Sequence, residues 1–189
     1  LSQKNISKTD FDLLTTRGEK CLTQYLSQKI SEFKSEDIHE FNFKKEGVLL
    51  GPAHLTGKID KMIIDKDNHT ISIVDYKTGK SFDSWKSNEV KLHKYKQQLY
   101  LYKLLVEGSY TFSEYSVTDA YLQFVEPNAK GKIVDLHVDF DSIELKRTRD
   151  LAIAVWKHVQ ALSLPNIDKY DKSLKGVLEF ENDLIKNSP

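Results

Sequence analysis

The run Ile71-Ser72-Ile73-Val74-Asp75-Tyr76-Lys77-Thr78-Gly79 constrains this chain most. Its β-branched first half predicts a strand over 70–77, and Thr78-Gly79-Lys80 ends it. Asp65-Lys66-Asp67-Asn68, just upstream, has the composition of a hairpin turn. The strand entering that turn spans 54–64 and carries Gly57-Lys58-Ile59-Asp60-Lys61. Side chains alternate along a strand, so Asp75 and Lys77 share a face with Ile71 and Ile73. Asp60 shares its own face with Met62 and Ile64. A tight hairpin holds the two strands side by side, which lets Asp60 and Asp75 converge on one point.

The rest of the chain supplies helices and further strands. Phe11, Leu14, Leu22, Leu26, Ile30 and Phe33 fall near helical spacing and predict a long helix, with a break expected around 15–18. Residues 1–8 are polar and read as loose. Phe41 and Phe43 alternate with polar residues in a strand over 38–45, turned by Gly47. Gly51-Pro52 bends the next strand. A polar loop over 81–88 carries Trp85. A helix over 89–107 is closed by Gly108. Strands over 120–125 and 133–140 follow. Asp141 with Glu144 reads as a capping box for a helix to about 162, stopped by Pro165. A last helix spans 173–186. No repeat or linker divides the 189 residues, so the reading is one α/β domain with a mixed sheet of about five strands flanked by helices.

Composition excludes several classes. Lone Cys21 cannot build a disulfide framework, a multi-cysteine zinc site or an iron–sulfur cluster, and is expected in the core. No apolar run approaches a membrane span, and Lys4, Lys8 and Asp10 interrupt any signal peptide, so a cytoplasmic setting is expected. The chain opens at Leu1, as expected of a domain cut from something larger. With 28 basic and 28 acidic residues the net charge is zero, which argues against a protein that only coats nucleic acid.

Two carboxylates and a lysine on adjacent strands are the equipment of metal-assisted phosphodiester hydrolysis. Hard oxygen donors without His or Cys favour Mg2+ or Mn2+ over zinc. The backbone carbonyl of Tyr76, between Asp75 and Lys77, is a further candidate ligand. Lys77 would orient a water or neutralise charge building on the phosphate. A bare Asp-x-Lys is weak, arising about once in 300 positions. The context sharpens it: Gly-x-Ile-Asp, a hairpin, an apolar run, Asp-Tyr-Lys-Thr-Gly, then a helix with Gln98-Leu99-Tyr100-Leu101-Tyr102.

This combination resembles the RecB-type branch of the PD-(D/E)-x-K nuclease superfamily, with its restriction-endonuclease-like core. The likeness covers 40–107 directly, and the order of strands and helices fits throughout. It implies that Asp60 and Asp75 bind the metal, that Lys77 is catalytic, and that Gln98 and Tyr102 line the site from one helix face. One feature departs. Members carry a His in an upstream helix, whereas Arg17-Gly18-Glu19-Lys20-Cys21-Leu22-Thr23-Gln24 has none. Glu19 is the nearest substitute; Glu40, ahead of the first strand's centre, is favoured as the further metal ligand. The stretch 13–30 more weakly resembles the start of the nuclease module of some UvrD-type helicases. A helicase motor would then be a linked or associated partner, since no Gly-x-x-x-x-Gly-Lys-Ser/Thr loop is present.

Lys86, Lys91 and Lys94 are candidates to contact DNA phosphates, as are Lys96 and Lys103. Trp85 and Tyr95 are candidates to stack bases, with packing the competing role for Tyr95. Trp156 lies on an apolar stripe and is expected in the core. The scattered histidines form no metal pair. The resemblance implies a metal-dependent DNA nuclease, read as an exonuclease module of a helicase or recombination–repair protein. A catalytically silent module for DNA binding or docking is the alternative, and a sequence-specific endonuclease a third reading.

Overall fold

The computed structural model describes residues 7–86 and 89–189. Of the segment read as loose, residues 1–6 lie outside those described. Ser7 instead caps a helix, its side chain accepting from the Asp10 N–H. That helix, α1 (Lys8–Lys29), is unbroken through 15–18. Thr16 hydrogen-bonds back to the Asp12 carbonyl, and nothing packs close to Gly18, so neither forces a break.

Five strands form one sheet: β1 (Ile38–Asn42), β4 (Lys58–Asp65), β5 (Thr70–Lys77), β6 (Ser116–Phe124) and β7 (Val134–His137), side by side in that order. Only β5 and β6 run parallel. That pairing requires a long crossover, which α2 (Val90–Glu107) supplies. The long second strand of the sequence reading divides in two. A small hairpin of β2 (Leu49–Leu50) and β3 (Ala53–His54) turns at Gly51, φ +56°, before β4 begins. β1 ends at Asn42 because a 3-10 turn takes over at Phe43–Lys45. β7 ends at His137, short of the expected 140.

Helix α2 lies over the face carrying Ile71, Ile73 and Met62, burying Leu92, Leu99 and Leu105 against them. Helices α3 (Ser142–Gln160) and α4 (Leu174–Lys186) stack outside α2. Asp141 caps α3 through the N–H groups of Ile143 and Glu144. The reciprocal half of the box is absent, because the Asp141 N–H donates to Tyr100. Glu181 of α4 is 6% exposed and is bonded by His93 and Gln97 of α2 and Arg147 of α3.

Helix α1 covers the other face, and its contacts are largely polar. Tyr25 donates to Gln123, Gln123 to Asp135, and Lys29 lies 2.5 Å from Asp135. Phe11, Leu14, Leu22, Leu26 and Ile30, the stripe that defined this helix in the sequence, therefore stay exposed. Cys21 is only half-buried on α1, not in the core. Trp156 is half-buried at the edge of a small cluster with Leu50 and Ala53.

Candidate active site

Strands β4 and β5 part where the two carboxylates stand. Their ladder runs from Asp65↔Thr70 to Lys61↔Val74. Beyond it β4 stays with β1 as far as Lys58↔Asn42, and β5 stays with β6 as far as Lys77↔Phe124. Asp60 and Asp75 are the next residues at this fork. The Tyr76 N–H turns to Asp60 and donates to its Oδ2 at 2.9 Å, fixing that carboxylate at the mouth of the fork.

Asp75 is 2% exposed. Lys77 Nζ lies 2.7 Å from Asp75 Oδ2 and donates to Gln98 Oε1 at 2.8 Å. Gln98 Nε2 donates to the Tyr102 hydroxyl at 2.7 Å, and that hydroxyl donates to Asp75 Oδ1 at 3.3 Å. Two residues of β5 and two of α2 thus close a ring. The helical repeat puts Gln98 and Tyr102 one above the other, and the strand repeat does the same for Asp75 and Lys77. Tyr95, one turn before Gln98, places its ring centroid 4.3 Å from Lys77 Nζ.

Burial pushes the Asp75 carboxyl above the usual carboxylate range. Lys77 and the Tyr102 hydroxyl pull it back, while the charge of Asp60 adds to the rise. Burial also raises the Tyr102 hydroxyl, and Asp75 raises it further, so it stays a proton donor at neutral pH.

The donor set fits a hard divalent cation. Lys77 Nζ is paired with Asp75 Oδ2 at 2.7 Å, so that buried oxygen already faces one cation. A buried carboxylate is costly without a cation beside it, and Lys77 supplies one. A hard divalent ion is commonly held by one or two carboxylates with water and substrate phosphate completing its shell, and Asp60 and Asp75 are the residues that would hold one here.

Other expected residues stand differently. Glu40 occupies the place opposite Asp60 in the β1–β4 register, yet its φ of +55° takes it out of the ladder. Its exposed carboxylate pairs with Lys58. Glu19 is exposed on α1. Among the described residues no group of three His, Cys, Asp or Glu gathers as a metal site. Tyr76 offers Asp60 its N–H, while its ring packs edge-on to Tyr25 on the opposite face. Lys86, Lys91 and Lys94 are exposed. Lys103 turns inward to Glu107 and the Val117 carbonyl. Trp85 is half-buried and donates its indole N–H to the His137 carbonyl at 2.6 Å; of its loop, Ser87 and Asn88 lie outside the described residues.

Sequence reasoning missed a cleft of about 540 Å³ beyond the end of β5, lined by Lys80, Arg17, Lys130 and Asn128. Arg17 holds Glu126 there at 2.6 Å. Residues 17, 80 and 130 are too far apart in sequence for any local pattern to join them.

A model of the PD-(D/E)XK nuclease superfamily matches residues 3–179. No curated protein and no solved structure matches the chain.

Proposed function

We propose that this chain, which belongs to the PD-(D/E)XK nuclease superfamily, is a metal-dependent deoxyribonuclease that hydrolyses phosphodiesters at the fork between β4 and β5. The observation that carries the reading is the Asp75–Lys77 pair, locked by Gln98 and Tyr102 beside Asp60. A divalent ion held by Asp60 and Asp75 would polarise the scissile phosphate and lower the pKa of its bound water. Lys77, fixed at three points, orients the attacking water and offsets charge gathering on the phosphate oxygens. Tyr102 holds the Asp75 carboxylate in place, and Tyr76 does the same for Asp60 through its N–H.

The DNA strand passes the exposed Lys86, Lys91 and Lys94, and its backbone continues toward Arg17, Lys80 and Lys130. No helix among the described residues is long and apolar enough to cross a membrane. The Gln-x-x-x-Tyr face supports assignment to the RecB-type branch, and with it an exonuclease module of a helicase or recombination–repair machine in the cytoplasm. The test is degradation of labelled single- and double-stranded DNA with Mg2+, Mn2+ or chelator, comparing wild type with Asp75→Asn. Shortening of the strand from one end, abolished by chelator and by the variant, is the expected result. Product lengths that start internally would replace exonuclease by endonuclease action.

A second reading draws on one observation: Glu40 pairs with Lys58, and no third ligand joins Asp60 and Asp75 among the described residues. In that reading the fold binds DNA without cutting it. Binding without cleavage under both metals would favour it.

A further inference from the structure

We infer that Tyr95 is a positioning residue for Lys77, holding the ammonium group through the face of its ring. The inference rests on the nuclease reading of the site and adds a residue to it.

Lys77 Nζ has two polar neighbours, Asp75 Oδ2 and Gln98 Oε1. Asp75 lies with the lysine on β5 and Gln98 lies on α2. A third contact limits the swing of a four-carbon side chain further. Tyr95 provides it, with its ring centroid 4.3 Å from Nζ, well inside the roughly 6 Å over which a ring face attracts a cation. The lysine side chain is only 15% exposed, so water screens this attraction weakly.

The ring is itself braced. Phe82, in the loop that follows the catalytic strand, meets Tyr95 edge-on at 6.5 Å and meets Phe124 of β6 at 6.1 Å. A line of aromatic contacts therefore runs from the sheet through the loop to the ring over Lys77. Lys91 lies 5.5 Å from the same centroid, so the ring also gathers a second cation at the mouth of the site. The helical repeat explains the placement: residues 95, 98 and 102 follow the i, i+3, i+7 pattern and lie on one face of α2. Nothing in this arrangement uses the Tyr95 hydroxyl, for which no hydrogen bond is found among the described residues, so the ring alone carries the role.

The experiment replaces Tyr95 by Phe, by Leu, and by phenylalanines bearing one to three fluorines, which weaken the ring face without changing its size. Single-turnover cleavage of labelled DNA with Mg2+ is measured for each. Tyr95→Phe is expected to keep most of the rate, Tyr95→Leu to lose about 3- to 30-fold in the saturating single-turnover rate with little change in the half-saturating concentration, and the fluorinated series to fall stepwise. Equal rates for Phe and Leu, or a flat fluorine series, would overturn the proposal. Coupling between Lys77→Met and Tyr95→Leu in urea unfolding tests the same contact without cleavage. Coupling that survives in Tyr95→Phe supports it even if the wild type cuts no DNA, a result that would sink the nuclease reading alone. Additive effects of the two substitutions would overturn it.

Discussion

Removing one oxygen atom tests the ring at the fork. Tyr102→Phe deletes the hydroxyl that accepts from Gln98 and donates to Asp75. Two partners lose a bond, and Asp75 Oδ1 is left deep in the protein with only the Lys77 ion pair at Oδ2 beside it. A hydrogen bond to a charged group contributes about 1.5–3 kcal/mol and a neutral one about 1. The contact to Asp75 is long, at 3.3 Å, so the lower figure applies. Half-buried Gln98 regains part of its loss from water. The expected cost is about 2 kcal/mol, a fall of about 4–8 °C in Tm for a domain of this size. Because Gln98 no longer has a fixed partner, Lys77 loses one of its anchors, and cleavage should slow by about 10-fold or more. The assay is urea unfolding together with single-turnover cleavage, for Tyr102→Phe, Gln98→Leu and the double variant. In a closed ring the two substitutions are not independent, so the double variant should cost about 1 kcal/mol less than the sum. A neutral Tyr102→Phe, or strict additivity, would refute the ring as a unit.

Other outcomes follow from the same geometry. Burial raises the Glu181 carboxyl, but His93, Arg147 and Gln97 more than offset that and hold it below the usual glutamate range. A depressed folded-state pKa means the stabilisation is complete above the ordinary glutamate pKa and fades as pH falls through that range and below. Glu181→Gln should therefore cost about 3 kcal/mol at neutral pH, with the gap to wild type narrowing toward pH 3 in thermal scans; a gap independent of pH would contradict this. A Cβ at Gly176 would meet the Asp171 carbonyl oxygen at 2.0 Å. Gly176→Ala should lower Tm by several degrees despite the better helix propensity of alanine, and an unchanged or higher Tm would show that the loop before α4 yields freely. Replacing Lys91 and Lys94 together by Ala should weaken DNA binding and reduce the slope of log affinity against log salt by about 1.4 on single strands. An unchanged slope would remove both lysines from the path of the strand.

The hairpin and the placement of its acidic and lysine side chains were legible because local signals agreed there. The turn at residues 65–68, the β-branched run and the strict alternation put Asp75 and Lys77 on one face, and β5 runs over the residues expected of it. Gln98 and Tyr102 were legible for the same reason, since helical spacing fixes their shared face. Helix α1 shows the opposite case. Its apolar repeat marked the helix, yet the buried positions are Tyr25 and Lys29, whose partners Gln123 and Asp135 lie about a hundred residues away. Periodicity finds a helix but does not say which stripe a distant polar cluster will claim. Glu40 stands opposite Asp60 as its position in the sequence suggests, while its left-handed backbone and its pairing with Lys58 leave no mark in residue type. From sequence Tyr95 reads as a packing or stacking residue, because no local pattern relates it to a lysine 18 positions earlier. The crossover helix α2 between the parallel strands β5 and β6 carries Tyr95 back over β5 and makes that contact.

The most direct test of the central claim is single-turnover cleavage of an end-labelled DNA strand by wild type and Lys77→Ala in Mg2+, with DNA binding measured on the same preparations. The account predicts metal-dependent cleavage by the wild type, lost by 100-fold or more in Lys77→Ala while binding stays within a few-fold. Cleavage that survives in Lys77→Ala, or a wild type that binds DNA and leaves it intact under every divalent metal, would contradict it.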